Sequence, residues 1–241
     1  PSAMSASRES ERLLKLVEEA ESHCCRQAGL VYAVSEDDVR LLREHYPDAT
    51  ANMVVVPNGT DVRGIAYFGA EQRRRLKRRL GVPRQPLVIF LASGHGPNLE
   101  AAERILEAAK GMPRMTFVFL GNVVYEFRHR QVPSNLWLVG SVAEAERNIW
   151  LQAADVALNP MLYGGGTNLK LLDYFAAGIP VVSTEIGIRG TGASAGTHAI
   201  VAPMEELRDG ILAALDAGPA GEAMALRARA LVEDRYDWWK L

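Results

Sequence analysis

The segment 163–184 constrains the fold of this chain more than any other stretch. It opens with three consecutive glycines, 164–166, which let the backbone turn sharply and approach a ligand closely. Thr167 or Asn168 is placed to cap a helix with its side chain, and Gly178 is placed to end that helix in a left-handed conformation. Apolar residues follow at once. The segment therefore predicts a loop, a helix and a buried strand in succession.

The predicted helix has two faces, and a lysine stands at its start. Lys170 falls in the first turn, where a cation opposes the helix dipole at a cost of about 0.3–1 kcal/mol. An anion bound at the glycine loop would reverse the sign of that effect, whereas a lysine on an exposed face needs no ligand. The periodicity predicts a buried face of Leu169, Leu171, Leu172, Phe175 and Ala176, and a second face of Lys170, Asp173, Tyr174 and Ala177.

Two common phosphate-binding motifs are excluded. The Walker motif requires a glycine directly before its lysine, and Leu169 occupies that position here. The dinucleotide fingerprint requires a third glycine, which Leu169 also replaces. The earlier loop 93–96 fails the same test because Leu99 stands at the third position. Neither a P-loop nor a nicotinamide site is expected.

Apolar strands and amphipathic helices alternate regularly from Leu87 onward. This alternation predicts an α/β fold, a Rossmann-like parallel sheet with helices on both faces. Ligands of such sheets bind beyond the carboxyl ends of the strands. Gly94, Gly121, Gly140 and the loop 164–166 all follow predicted strands, so they indicate a nucleotide-sized cleft at that edge.

Composition excludes several classes of protein. The net charge of −2 over 241 residues gives no general attraction to nucleic acid. Cys24 and Cys25, the two cysteines, are adjacent and form no disulfide framework, which is typical of a reducing cytoplasm. No apolar run is long enough to span a bilayer. We therefore expect a cytoplasmic protein.

Two features allow two interpretations each. Six arginine and lysine residues crowd the segment 71–80, which fits either a solvated helix face or contact with an anionic partner such as a membrane surface. His95 lies in a loop after a predicted strand, where it either contacts a phosphate or sugar or is simply solvated.

Several blocks along the chain, in this order, resemble the C-terminal half of a GT-B-fold glycosyltransferase of the retaining family 4 type. The blocks are residues 32–38, 55–61, 93–102, 138–142 and 154–160, then the glycine loop, and finally the tryptophan-containing segment 235–239. The resemblance implies a remnant of the N-terminal domain and the interdomain linker at 1–60, a nucleotide-sugar-binding domain at 61–222, and a helix returning toward the N-terminal domain at 223–241. It also implies that the acceptor domain, with its usual histidine, is missing from this chain.

The resemblance implies a function as well. A sugar would pass from a nucleoside-diphosphate donor, UDP- or GDP-linked, to a hydroxyl of a saccharide or lipid-linked acceptor, with retention and without a metal cofactor. Two alternatives remain: a nucleotide-sugar-binding module without turnover, and a GT-B-type nucleotide-sugar epimerase.

Site residues carry over position by position. Backbone at Gly165, Gly166, Thr167, Asn168 and Leu169 would hold the donor diphosphate, Gly94 and His95 would line the cleft, and Gly140 and Val142 would approach the base. The catalytic pair would be Lys170 and Asp173. Asp173 stands where the family has the second glutamate of its paired motif, which contacts the ribose, whereas Gly165 replaces the first. The family's usual arginine and lysine after the first strand of this domain are not evident, so Lys170 is expected to supply the compensating charge.

Overall fold

A computed structural model describes residues 8–48 and 52–241. The chain divides into two compact units, Pro1–Pro57 and Asn58–Leu241. No helix within the described ranges combines the length and the apolarity needed to cross a bilayer.

The described residues of unit 1 form two helices and two strands: α1 (Arg8–Gln27), β1 (Leu30–Ala33), α2 (Glu36–His45) and β2 (Asn52–Val55). The strands pair in parallel, with Leu30 opposite Asn52. Ser35 caps α2, because its hydroxyl oxygen accepts a hydrogen bond from the Asp38 amide at 3.1 Å.

Unit 2 is built on a six-stranded parallel sheet in the order β5-β4-β3-β6-β7-β8. The predicted α/β class is confirmed. The strands are β3 (Leu87–Leu91), β4 (Thr116–Leu120), β5 (Leu136–Gly140), β6 (Val156–Asn159), β7 (Val181–Ser183) and β8 (Ile200–Val201). The helices are α3 (Ala70–Arg79), α4 (Gly96–Lys110), α5 (Glu144–Ala153), α6 (Leu169–Ala176), α7 (Glu185–Ile188), α8 (Leu207–Asp216) and α9 (Gly218–Arg235), with 3-10 turns at Asn122–Glu126 and Met204–Glu206.

The sheet has an apolar core on each face, because its strands are buried on both sides. Helices α3, α5, α6 and α9 contribute side chains to one core, together with Ile89 of β3. Helices α4 and α8 contribute to the other core, together with Val88 and Phe90 of the same strand. Alternate residues of one strand thus enter opposite cores, as the pleat requires.

The boundary between the two units falls at Pro57, close to the predicted boundary at residue 60. Helix α9 continues through the predicted boundary at residue 222, and Ala228 and Val232 of this helix are buried in the core of unit 2. The three-part assignment of the chain stays a prediction.

Candidate functional site

The carboxyl ends of three neighbouring strands meet the start of α6 around a cavity of about 350 Å³. Strand β3 lies where the sheet order reverses, with β4 on one side and β6 on the other, and such a switch point is the usual ligand site of an open parallel sheet. The lining residues are Leu91, Ala92 and Ser93 after β3, Gly121 and Asn122 after β4, Ser141 after β5, Asn98 of α4, and Leu169 and Lys170 of α6. We call this space the edge cavity.

Position 121 requires a glycine because the backbone after β4 passes very close to the backbone after β3. Its φ of +105° lies in the region that favours glycine, and a Cβ built there would stand 2.4 Å from the carbonyl oxygen of Ala92. Asn122 then accepts a hydrogen bond from the Ser141 hydroxyl, which ties the loops after β4 and β5 together. The wall of the edge cavity is therefore fixed by backbone packing.

Lys170 lines the edge cavity and is itself largely buried. Its ammonium donates to Asn98 Oδ1 at 2.5 Å, and its Nζ lies 4.6 Å from the centroid of the Phe90 ring. Burial lowers the pKa of Lys170 to about 7 from its ordinary 10.5. Lys170 has no carboxylate ion-pair partner among the described residues. Its Nζ also contacts the sulfur of Met161 at 3.7 Å, so its neighbours are an amide oxygen, an aromatic face and a thioether.

The first turn of α6 lies beside the same cavity, because Leu169 and Lys170 line it. Asn168 is the N-cap residue, but its side chain donates to the Gly187 carbonyl at 3.1 Å and does not cap the helix. Thr167 instead donates to the Gly190 carbonyl at 3.4 Å. The prediction that one of these side chains caps α6 was therefore wrong. The amides of Leu169 and Lys170 belong to the first turn and have no partner within the helix.

The glycine loop before α6 is open to solvent. Gly164 has φ +148° and Gly166 has φ +65°, so both adopt conformations that favour glycine. A Cβ at Gly165 would meet nothing within 4 Å. Arg189 donates to the Gly164 carbonyl and holds one end of the loop. Backbone at Gly165 and Gly166 can thus approach a ligand without obstruction from their own side chains.

The predicted faces of α6 need correction. Tyr174 and Ala177, assigned to the face of Lys170, are buried in the core, while Leu169, assigned to the buried face, is 53% exposed. Tyr174 is buried because it reaches the sheet, where its hydroxyl accepts a hydrogen bond from the Leu91 amide at 2.7 Å. Helix α9 covers another part of α6, since Arg229 of that helix donates to the carbonyl of Ala176. Gly178 has φ +62° and ends the helix as predicted.

Asp173 lies outside the set of residues that line the edge cavity. Its Oδ1 accepts a hydrogen bond from the Thr60 hydroxyl at 2.6 Å, and its Oδ2 lies 3.6 Å from Nη1 of Arg147. Burial raises the pKa of Asp173, while the Thr60 hydrogen bond and the Arg147 charge oppose that rise. The contact of Asp173 with a ribose stays a prediction.

The remaining predicted residues lie at the ends of the expected strands. Gly94 and His95 lie between β3 and α4, where His95 is the N-cap residue without a side-chain capping bond. Gly140 ends β5 with φ +83°, and Val142 packs against the core on the α5 face. None of these four lines the edge cavity. Across residues 8–48 and 52–241, no group of three or more histidine, cysteine or carboxylate side chains could hold a metal ion.

Ser93, Asn98, Asn122 and Ser141 were not predicted as site residues. Three of them directly follow the loop glycines or the ends of strands, and that position is the signal that could have found them. Asn98 is different, because only its contact with Lys170, 72 positions away, marks it.

The fold of unit 2 is a Rossmann-like α/β fold of the kind found in GT-B proteins. A sequence profile described as Glycosyl transferases group 1 matches residues 85–217, more than half of the chain, and the chain belongs to this family. None of the curated proteins matches the chain.

Solved structures show the same fold at low sequence identity. Anabaena HepE in complex with UDP-glucose is 17% identical, with a TM-score of 0.76 over 94% of this chain and 65% of HepE. Sucrose-phosphate synthase from Thermosynechococcus elongatus is 17% identical, with a TM-score of 0.79 over 100% of this chain and 61% of the synthase. The chain therefore spans less than two thirds of either protein.

A third similar structure corresponds to a single domain. The C-terminal domain of a glycosyl transferase group 1 family protein (LpcC) from Francisella tularensis is 15% identical, with a TM-score of 0.57 over 75% of this chain and 100% of that domain. The comparisons do not favour the alternatives of a module without turnover or an epimerase.

Proposed function

We propose that this chain is the donor-binding part of a glycosyltransferase that transfers a sugar from a nucleoside-diphosphate sugar to a hydroxyl. The observation that carries the proposal is Lys170, a buried ammonium for which the described residues offer no carboxylate, beside the first turn of α6 at the edge cavity. A diphosphate placed there would receive charge from Lys170 and hydrogen bonds from the start of α6. The cavity is of a size that holds a diphosphate and leaves the rest of the donor to extend along the strand ends.

Lys170 would act on the leaving group. When the bond from the sugar to the diphosphate breaks, negative charge grows on the phosphate oxygens, and a fixed cation nearby stabilises that charge without reorganisation. The diphosphate in turn raises the pKa of Lys170 from about 7, so the lysine is protonated when the donor is bound. The amides of Leu169 and Lys170 would add to the same stabilisation.

We propose that no metal is needed and that the sugar keeps its configuration. Lys170 and the α6 amides supply the positive charge that a metal would otherwise provide. The residues that line the edge cavity include no carboxylate, so the departing phosphate is the available acceptor for the proton of the incoming hydroxyl. Attack from the side of the departing group gives retention.

The donor we expect is a UDP- or GDP-sugar. HepE was solved with UDP-glucose and, separately, with UDP, which supports UDP as the first nucleotide to test. The acceptor would be a saccharide or a lipid-linked hydroxyl at the cytoplasmic face of the cell.

The acceptor would bind to an N-terminal domain of which unit 1 is a part. Apolar side chains of its two strands are exposed, namely Leu30, Tyr32 and Val54, and so is Val56 directly after β2. Two strands alone rarely form a stable sheet, so further strands from the same domain would cover them. These exposed residues support the proposal that the active enzyme contains more of the N-terminal domain.

Calorimetric titration with UDP and with GDP tests the proposal. We expect one of the two nucleotides to bind the wild-type chain, and Lys170→Met to weaken that binding at least about tenfold, the value of one charge-assisted hydrogen bond. Lys110→Met is the matched control, because Lys110 is an exposed lysine at the far end of α4. Binding that is equal in all three proteins, or absent from the wild type, would overturn the assignment of the edge cavity.

Retention and metal independence have their own tests. With the complete enzyme, transfer should persist in excess EDTA, and proton NMR of the product should show the anomeric configuration of the donor. Loss of transfer on chelation, restored by a divalent cation, would refute metal independence.

A further inference from the structure

A second cavity, of about 700 Å³, lies at the opposite edge of the sheet. Pro86, Asp155 and Pro180 line it, and they directly precede β3, β6 and β7. Five residues of β3 span about 16 Å, so the length of the sheet separates this space from the edge cavity. We call it the amino-edge cavity. It plays no part in the donor site described above.

One wall of the amino-edge cavity is strongly basic. Its five cations are Arg73, Arg74, Lys77 and Arg78 from one side of α3, and Arg84 from the loop before β3. The cavity also contains two carboxylates, and both have partners. Asp155 pairs with Lys77 at 2.6 Å, and Glu222 accepts a hydrogen bond from the Tyr67 hydroxyl at 2.5 Å.

None of the four arginines that line the cavity has an ion-pair partner in the part of the chain that the structure describes: Arg73, Arg74, Arg78 and Arg84. Arg75, on another side of the same helix, does have one, because it pairs with Glu71 at 2.6 Å. Of the α3 cations without an ion-pair partner in the described residues, Arg73, Arg74 and Arg78 line the cavity and Arg79 does not. Most of the unpaired charge of α3 therefore lies at the cavity.

Arg73 provides a second, independent observation. Its Nη2 donates to the Gly178 carbonyl at 2.6 Å, but its Nε is buried and has no hydrogen-bond partner. A buried donor without an acceptor destabilises the folded state, and such atoms are rare. An acceptor bound in the cavity that Arg73 lines would satisfy it.

The facing wall is apolar. Val82, Pro86, Pro180 and Leu215 contribute to it. A purely inorganic ion would leave this wall in contact with water. The combination of a guanidinium-rich wall and an apolar wall suits a molecule with an anionic head and an apolar body.

We propose that the amino-edge cavity binds a phosphate-bearing ligand whose apolar part packs against the proline-rich wall. Guanidinium groups match the geometry of phosphate oxygens and form paired hydrogen bonds with them. The phosphate belongs either to a lipid headgroup or to a soluble phosphorylated compound. The site is separate from the donor cavity, so the bound ligand anchors or regulates the protein and is not consumed by sugar transfer.

Two double variants of α3 test this proposal at equal net charge. Arg74→Gln with Arg78→Gln removes two cations that line the cavity, whereas Arg75→Gln with Arg79→Gln removes two, at the same spacing, that do not. The soluble probe is monomeric dihexanoyl phosphatidic acid, measured by calorimetry. The membrane probe is phosphatidylcholine vesicles with and without phosphatidylglycerol, measured by co-sedimentation.

We expect Arg74→Gln with Arg78→Gln to weaken binding of whichever probe the wild type binds about a hundredfold, that is, about tenfold for each arginine. Arg75→Gln with Arg79→Gln should bind that probe like the wild type. A response to the soluble probe assigns the phosphate to a free compound, and a response to phosphatidylglycerol vesicles alone assigns it to a membrane lipid. Equal weakening in both variants would reveal only a general electrostatic attraction and would overturn the proposal, as would no binding of either probe. UDP affinity should be the same in all three proteins, which separates this test from that of the donor site.

Discussion

Substitution of Lys170 by methionine tests the buried ammonium through its effect on stability. Burial lowers the pKa of Lys170 from 10.5 to about 7, so between these two values the unfolded chain holds a proton that the folded chain releases. The free energy of unfolding of the wild type should therefore rise with pH across this window. One pKa unit corresponds to about 1.4 kcal/mol, so the difference between 10.5 and about 7 destabilises the folded state by up to about 5 kcal/mol below neutrality.

Lys170→Met removes this pH-dependent cost and retains a long side chain. Between about pH 7 and about pH 9 the cost in the wild type falls by about 2 kcal/mol, so the stability advantage of the variant should shrink by that amount. The variant leaves Asn98 Oδ1 without its donor, which costs about 1–3 kcal/mol at every pH and does not alter the slope.

Urea unfolding of the wild type, Lys170→Met and the exposed control Lys110→Met measures the three slopes. Other titrating groups are common to all three proteins and cancel in the comparison. If the stability of Lys170→Met runs parallel to that of the wild type from about pH 7 to about pH 9, the lysine is not held in an environment that disfavours its charge, and the reasoning fails.

Three further predictions concern the same region. UDP affinity should fall as pH rises above about 7, by up to about tenfold per pH unit, because free Lys170 must take up a proton on binding; calorimetry in buffers of different ionisation enthalpy should detect that uptake. Gly121→Ala should lower the free energy of chemical unfolding by more than about 3 kcal/mol, because the new Cβ would overlap a carbonyl oxygen. Gly165→Ala should change it by less than about 1 kcal/mol, because its Cβ meets open space. Tyr174→Phe should lower the free energy of unfolding by about 1–3 kcal/mol, because the buried Tyr174 hydroxyl accepts a hydrogen bond from the Leu91 amide at 2.7 Å. An unchanged midpoint of chemical unfolding would contradict that contact.

Local patterns were enough to predict the sheet and most of its helices. The apolar runs at 87–91 and 116–120 are buried strands, and the periodic segments between them are helices, because period and burial agree at those positions. The short elements were missed. The 3-10 turn at Asn122–Glu126 and the four-residue α7 (Glu185–Ile188) are too brief to show a period.

Helix α6 shows why its own sequence did not reveal which residues are buried. Amphipathicity predicts one covered face, on the assumption that the other face meets water. In this fold the sheet covers one side of α6 and α9 covers another, and α9 lies more than forty residues later in the chain. A pattern with one covered face cannot indicate that two neighbours cover the helix, and it therefore misplaced Tyr174, whose hydroxyl accepts a hydrogen bond from Leu91 of the sheet. The contact between Asn98 and Lys170 depends in the same way on two segments distant in sequence.

Three features of Lys170 destabilise the folded protein when no ligand is bound. A lysine in the first helical turn opposes the helix dipole, its burial disfavours its charge, and the part of the chain that the structure describes offers it no carboxylate. An apolar residue of similar length would fill the same space without these costs. Sequences commonly break local rules where a ligand requires it, and an anion in the edge cavity would remove all three conflicts at once. For this reason we propose that the donor diphosphate is the anion that Lys170 binds.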